Sequence, residues 1–217
     1  MTDRDVIDAV NNAIPFKPPA QEPRFTIFDA PDFLGREYPP RGIGKTFLAL
    51  GIAHAVSTGG KILNWYAPTP KRVLYCDGEM PASVMQERLA QIASSSGYPL
   101  VGDSLRIMTV DDQRHGVIDL SNPDHQAFLE SQIQDVDLII ADNISTLCRQ
   151  GLENEGESWM PVQDWALRQR AAGRSVLFLH HAGKAGEQRG TSKREDVLDT
   201  VINLRVSGDY DPEKGAE

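Results

Sequence analysis

The stretch Pro39-Pro40-Arg41-Gly42-Ile43-Gly44-Lys45-Thr46 constrains this chain more than any other part of it. Two glycines, a lysine and a threonine run at once into the apolar segment TFLALGIAHAVS, residues 46–57. A glycine turn that opens a helix brings backbone N–H groups and the positive end of the helix dipole to one point, a concave site for an anion. Lys45 would reach the terminal phosphates of a bound nucleotide, and the Thr46 hydroxyl would face Mg²⁺. The full pattern for such a loop is Gly-x4-Gly-Lys-Ser/Thr, and Pro39 stands where its first glycine belongs. The donors nearest the phosphates come later in the loop and are present.

Helix-patterned and β-rich segments alternate after Gly42. Helices are expected over residues 46–57, 82–93, 123–133 and 157–172, and strands over 72–77, 105–110, 136–141, 175–180 and 200–206. The second helix carries Val84, Leu89 and Ile92 on one side; the third has Ser121 or Asn122 as its cap and Pro123 in its first turn; the fourth stops at Gly173. Such alternation is the mark of an α/β protein, a mostly parallel sheet with helices on both faces. Residues 58–70 read as a long connection. Residues 1–24 form a Pro-rich lead-in to a core over residues 25–217. Within the lead-in, residues 5–13 could make a short helix, while Pro15, Pro18, Pro19 and Pro23 prevent regular structure. Residues 24–29, RFTIFD, alternate like a short strand.

Composition narrows the class. With 217 residues, 40% hydrophobic and 24% charged, the chain suits one globular core. No apolar run approaches the roughly 20 residues that span a bilayer, and the N-terminus lacks the apolar centre of a secretory signal. Cys76 and Cys148 make no disulfide framework, which fits a reducing cytoplasm. A net charge of −9 argues against a broad basic face for duplex DNA or an anionic membrane, and so against a membrane partner, though not against a narrow channel built by several subunits.

Two further strands end in acids. Residues 136–143, VDLIIADN, deliver Asp142 to the carboxyl edge of the sheet, where it could hold a Mg²⁺ shell. Residues 73–80, VLYCDGEM, place Glu79 just past a strand end, where a carboxylate could orient and deprotonate an attacking water; Asp77 is the rival for that role. The strand at 175–180 runs into His180-His181, and only one of the two can face a nucleotide. Zinc is not expected, because Cys76 and Cys148 show no ligand spacing with these histidines. Residues 183–196, GKAGEQRGTSKRED, form a polar loop with Lys184, Arg189, Lys193 and Arg194, suited to nucleic acid or to a neighbouring subunit's phosphates.

Taken together, PRGIGKTFLALGIAHAV, RVLYCDGEM, DLIIADNISTL, ENEGESW and SVLFLHHAGKAGEQRGTSKREDVLDTVINLR resemble RecA-like P-loop ATPases. Within these the likeness is to the hexameric replicative helicases of RepA type from plasmids and phages and to related AAA-family ATPases. The resemblance covers roughly residues 40–206 and implies a RecA-like fold, ATP and Mg²⁺ as cofactors, a homo-oligomeric ring with ATP between subunits, and single-stranded DNA as partner. By position, Arg41, Gly42, Ile43, Gly44, Lys45 and Thr46 match the Walker A loop, and Asp142 the Walker B acid, so that Thr46 and Asp142 are the Mg²⁺ residues. Glu79 matches the catalytic glutamate, with Lys45 stabilising charge, His181 the sensor, and Arg189 a candidate phosphate contact or arginine finger.

The resemblance also implies a hydrophobic strand directly before the loop. Here Phe33-Leu34-Gly35-Arg36-Glu37-Tyr38 and two prolines occupy that place, a poor central strand. The expectation is that the first core strand is missing, its ends joined at a shared Pro-Arg, so that the sheet closes over the gap or residues 25–29 fill it. Relatives continue past Asp-Tyr-Asp-Pro-Glu-Lys-Gly, residues 209–215, into further strands; this chain stops at Glu217, and weakened catalysis is expected from both differences. The function expected is an ATP-hydrolysing motor of replicative-helicase type. The alternatives are an ATP-binding regulatory module that does not translocate and an inactive relative.

Overall fold

In the computed structural model the described residues are 14–16, 44–100, 102–112, 118–149, 156–180, 198–202 and 204. Continuous apolar runs in the sequence become the parallel strands β4 (Val73–Asp77), β5 (Leu105–Met108), β6 (Leu138–Asp142) and β7 (Ser175–Phe178). A three-residue strand, β1 (Ile14–Phe16), pairs antiparallel with β5, and the order across the sheet is β1-β5-β4-β6-β7. The β4–β6 register sets Val73 against Leu138, Tyr75 against Ile140 and Asp77 against Asp142.

The helices are α1 (Lys45–Thr58), α2 (Ala82–Ser96), α3 (Pro123–Gln132), the single turn α4 (Ile144–Leu147) and α5 (Gly156–Ala171). Successive strand residues point to opposite faces, and the core divides accordingly. Val73 and Tyr75 of β4, Leu105 and Ile107 of β5, and Leu138 and Ile140 of β6 face α1 and α2, meeting Leu50, Ala53, Met85 and Leu89. Leu74, Cys76, Met108, Ile139 and Ala141 face the other way, toward Leu129 of α3 and Trp165 of α5. Burying either layer contributes at about 25 cal/mol per Å² of apolar area. The doubly covered sheet expected from the sequence is therefore present.

Helix α1 is buried from Ala49 to Ser57 without a break. One side lies on the sheet and another on α2. A third is covered by a small hairpin, β2 (Lys61–Ile62) and β3 (Trp65–Tyr66). Ile62 sits so close to Gly51 that a Cβ there would come 2.2 Å from Ile62 Cδ1. Residues 58–70, expected as a plain connection, hold this hairpin because Ile62 has an apolar helix face to cover.

Other expectations change in detail. Pro15 does not prevent structure: residues 14–16 form an edge strand, where a missing N–H is tolerated. Strand β5 stops at Met108 and a 3₁₀ turn, Val110–Asp112, follows. The third helix has Asn122 as its cap, the side chain accepting from the Asp124 N–H at 2.9 Å. Residues 200–202 and 204 are not in a strand; the rest of the 200–206 expectation lies outside the described residues. So do residues 5–13, 24–29 and 33–38, and with them the question of the missing strand. Among the described residues β7 is the edge opposite β1, and it is half-buried where β4 and β6 are fully buried.

His54, in the buried stretch of α1, donates from Nε2 to the Tyr98 carbonyl at 3.0 Å. Burial lowers its pKa from 6.5, partly offset by that carbonyl. A lowered folded-state value favours the neutral ring, so its contribution to stability is complete above the unfolded value and is lost as pH falls through the lower folded one. His54→Gln keeps a donor and removes the titration. Urea unfolding at about pH 7.5 and about pH 5 should show the parent losing more stability than the variant on acidification.

Candidate active site

Gly44 caps α1 with φ +91 and ψ 14, a left-handed conformation that glycine adopts without the steric cost of a Cβ, and its carbonyl accepts from the Leu48 N–H at 2.8 Å. The leading turn of α1, and the positive end of its dipole, thus begin at Lys45. Strand β6 brings Asp142 to meet it. The Thr46 hydroxyl donates to Asp142 Oδ2 at 2.8 Å. The Tyr75 hydroxyl, from β4, donates to the same oxygen at 2.7 Å.

Strand β4 ends beside this point. Asp77 is the cross-strand partner of Asp142 and is buried. Its Oδ1 accepts from the N–H groups of Glu79 and Met80, at 2.7 and 2.5 Å, and so shapes the turn out of the strand. The Gly78 N–H donates to the Asp142 carbonyl at 2.7 Å. Glu79, by contrast, is exposed, and its Oε1 accepts from Asn143 Nδ2 at 2.8 Å. The Asn143 N–H in turn donates to Thr146 Oγ1 in α4, at 3.3 Å. Thr46, Asp142, Asn143 and Glu79 therefore form a linked row along the carboxyl edge of the sheet, where open α/β sheets take their ligands.

The electrostatics favour a cation here. Burial pushes Asp77 up to about 6; the Met80 and Glu79 amides oppose this, and the Asp142 and Glu79 charges add to it. Burial raises Tyr75 well above the ordinary phenol value, and the Asp142 carboxylate raises it further, so the phenol stays protonated and a donor. A hydroxyl and a carboxylate that meet beside a second buried carboxylate are hard oxygen donors, and their chemistry fits Mg²⁺.

Of the residues singled out in the sequence, Gly44, Lys45, Thr46, Asp142 and Glu79 fall on this edge. His180 lies just past β7 and is half-buried. Arg41, Gly42, Ile43, His181 and Arg189 lie outside the described residues. Two contributors were not singled out. Tyr75 was visible as a lone phenol in an aliphatic strand, two residues before an acid and so on its face; a buried phenol needs an acceptor. Asn143 carried no such signal, since its partner Glu79 comes from a distant strand end.

The fold and the loop agree with a comparison of sequences. A family model described as an AAA domain matches residues 11–187, most of the chain, which makes the α/β sheet a RecA-like P-loop ATPase fold.

Gly78 allows the close approach of β4 to α4. A Cβ there would lie 2.2 Å from Thr146 Oγ1 and 2.7 Å from Thr146 Cβ. Gly78→Ala must push α4 away, and with it Asn143. Urea denaturation should show a loss of about 1–3 kcal/mol.

Proposed function

Because the chain belongs to the AAA-domain family of P-loop ATPases, we propose that it is the ATP-hydrolysing motor domain of a DNA helicase of the replicative, plasmid or phage type. The observation that carries the ATPase chemistry is the row Thr46, Asp142, Asn143 and Glu79 in front of α1. The helicase reading is supported by the motif set over residues 40–206, which resembles that of RepA-type enzymes.

The triphosphate would lie at the N-terminus of α1, with Arg41, Gly42, Ile43 and Gly44 assigned by sequence position alone to its phosphate loop and the Lys45 ammonium neutralising charge that builds on the transferred phosphoryl group. Thr46 and Asp142 would hold Mg²⁺, which supplies Lewis-acid stabilisation of the phosphate oxygens when bound. Glu79 is the base for the attacking water. Its exposure keeps it in reach of solvent, and the Asn143 amide orients its carboxylate. Asp77 is the weaker candidate, because both its turn amides claim one oxygen and it is buried. His181 would sense the γ-phosphate, and Arg189 would reach a neighbouring subunit's nucleotide in a hexameric ring. Single-stranded DNA would pass through that ring in the cytoplasm. Among the described residues no helix is long and apolar enough to cross a membrane.

One observation favours a second reading. A net charge of −9 suits an ATP-binding regulatory module that does not grip DNA. An inactive relative would not be stabilised by ATP, whereas a protein that binds nucleotide in its native state melts higher with it.

Steady-state ATP hydrolysis with and without single-stranded DNA, across protein concentration, separates these readings. A motor should be stimulated by DNA and should gain specific activity as subunits assemble; a regulatory module should show neither. Lys45→Ala should abolish turnover. Glu79→Gln should lower kcat by about a hundredfold or more while nucleotide binding persists.

A further inference from the structure

Tyr75 occupies the middle of β4, on the face covered by α1 and α2, and is fully buried. It stands opposite Ile140, and Asp142 lies two residues further along β6 on the same face. A tyrosine ring is long enough to bridge that diagonal. It does so, with Oη 2.7 Å from Asp142 Oδ2, while Thr46 Oγ1 reaches the same oxygen from α1 at 2.8 Å. Phenylalanine would fill this place in the core equally well, so packing alone does not account for the hydroxyl. A buried hydroxyl carries a desolvation cost that only a good acceptor offsets.

We propose that Tyr75 is a positioning residue for the Mg²⁺ site: its hydroxyl holds the Asp142 carboxylate in the orientation that meets Thr46. Two donors from separate elements, one on the strand beside Asp142 and one on the helix in front of it, leave the carboxylate little freedom to rotate. The carboxylate is then set before the ion arrives, and the ion's binding does not have to order it. This inference rests on the ATPase reading of the same site.

The test uses the full chain and a fluorescent ATP analogue, with binding measured in EDTA and across a Mg²⁺ titration. Tyr75→Phe should bind the analogue in EDTA as the parent does. It should need about tenfold more Mg²⁺ to reach tight binding, the equivalent of one charge-assisted hydrogen bond. An unchanged Mg²⁺ requirement overturns the inference, and so does an equal loss with and without Mg²⁺, which would mark a purely structural hydroxyl. A second measurement needs no variant. The Tyr75 hydroxyl proton, bound to a buried carboxylate, should give an NMR signal that shifts when Mg²⁺ is added to the ADP-bound parent; a signal that stays in place overturns the inference even if Tyr75→Phe does not fold. If the parent itself binds no nucleotide with Mg²⁺, the ATPase reading fails and this inference falls with it. Normal Mg²⁺-dependent binding by both proteins removes only the role of Tyr75.

Discussion

A buried carboxylate, Asp142, joins the three parts on which this molecule depends. It ends β6, it takes a hydroxyl from the first turn of α1 and it takes another from the middle of β4. Its backbone carbonyl also receives the Gly78 amide, so the turn out of β4 is fixed against it. Each of these bonds is worth little alone, since folding exchanges it for a bond to water. Their joint effect is geometric. They fix where the helix N-terminus lies relative to the sheet edge, and the chemistry follows from that placement.

The two acids at the end of β4 show how one turn divides labour. Residues 77 and 79 are both carboxylates, and their spacing in sequence does not distinguish them. The difference lies in direction. Asp77 still belongs to the strand and faces inward, where Glu79 and Met80 amides claim its oxygen and burial holds its affinity for a proton high. Glu79 has left the strand, is exposed and is steadied by Asn143, the residue just past the end of the neighbouring strand. The inner acid builds the turn, and the turn presents the outer one.

Much of this was legible in the sequence for identifiable reasons. The apolar runs within 72–77 and 136–141 read as buried strands, and the glycine-lysine-threonine turn ran straight into an apolar helix; the strands lie at Val73–Asp77 and Leu138–Asp142 and the helix begins at Lys45. That Asp142 and Glu79 come to one sheet edge was readable because parallel strand ends converge there. What was not legible depends on partners distant in sequence. The hairpin at 61–66 exists because Ile62 finds Gly51 on α1, and neither residue advertises the other. Residues 14–16 join the sheet despite Pro15 because an edge position forgives a missing donor. Asn143 acquires its role only when β4 and β6 lie side by side.

The burial of α1 from Ala49 to Ser57 has a further consequence. A helix enclosed by sheet, hairpin and a second helix cannot swing as a lever without unpacking its surroundings, so its N-terminal turn stands on a fixed base. The entropy of stiffening that base was already settled when the chain collapsed, and affinity at the helix tip is not diminished by it. Displacing the helix would mean breaking its contacts with the sheet and the second helix together.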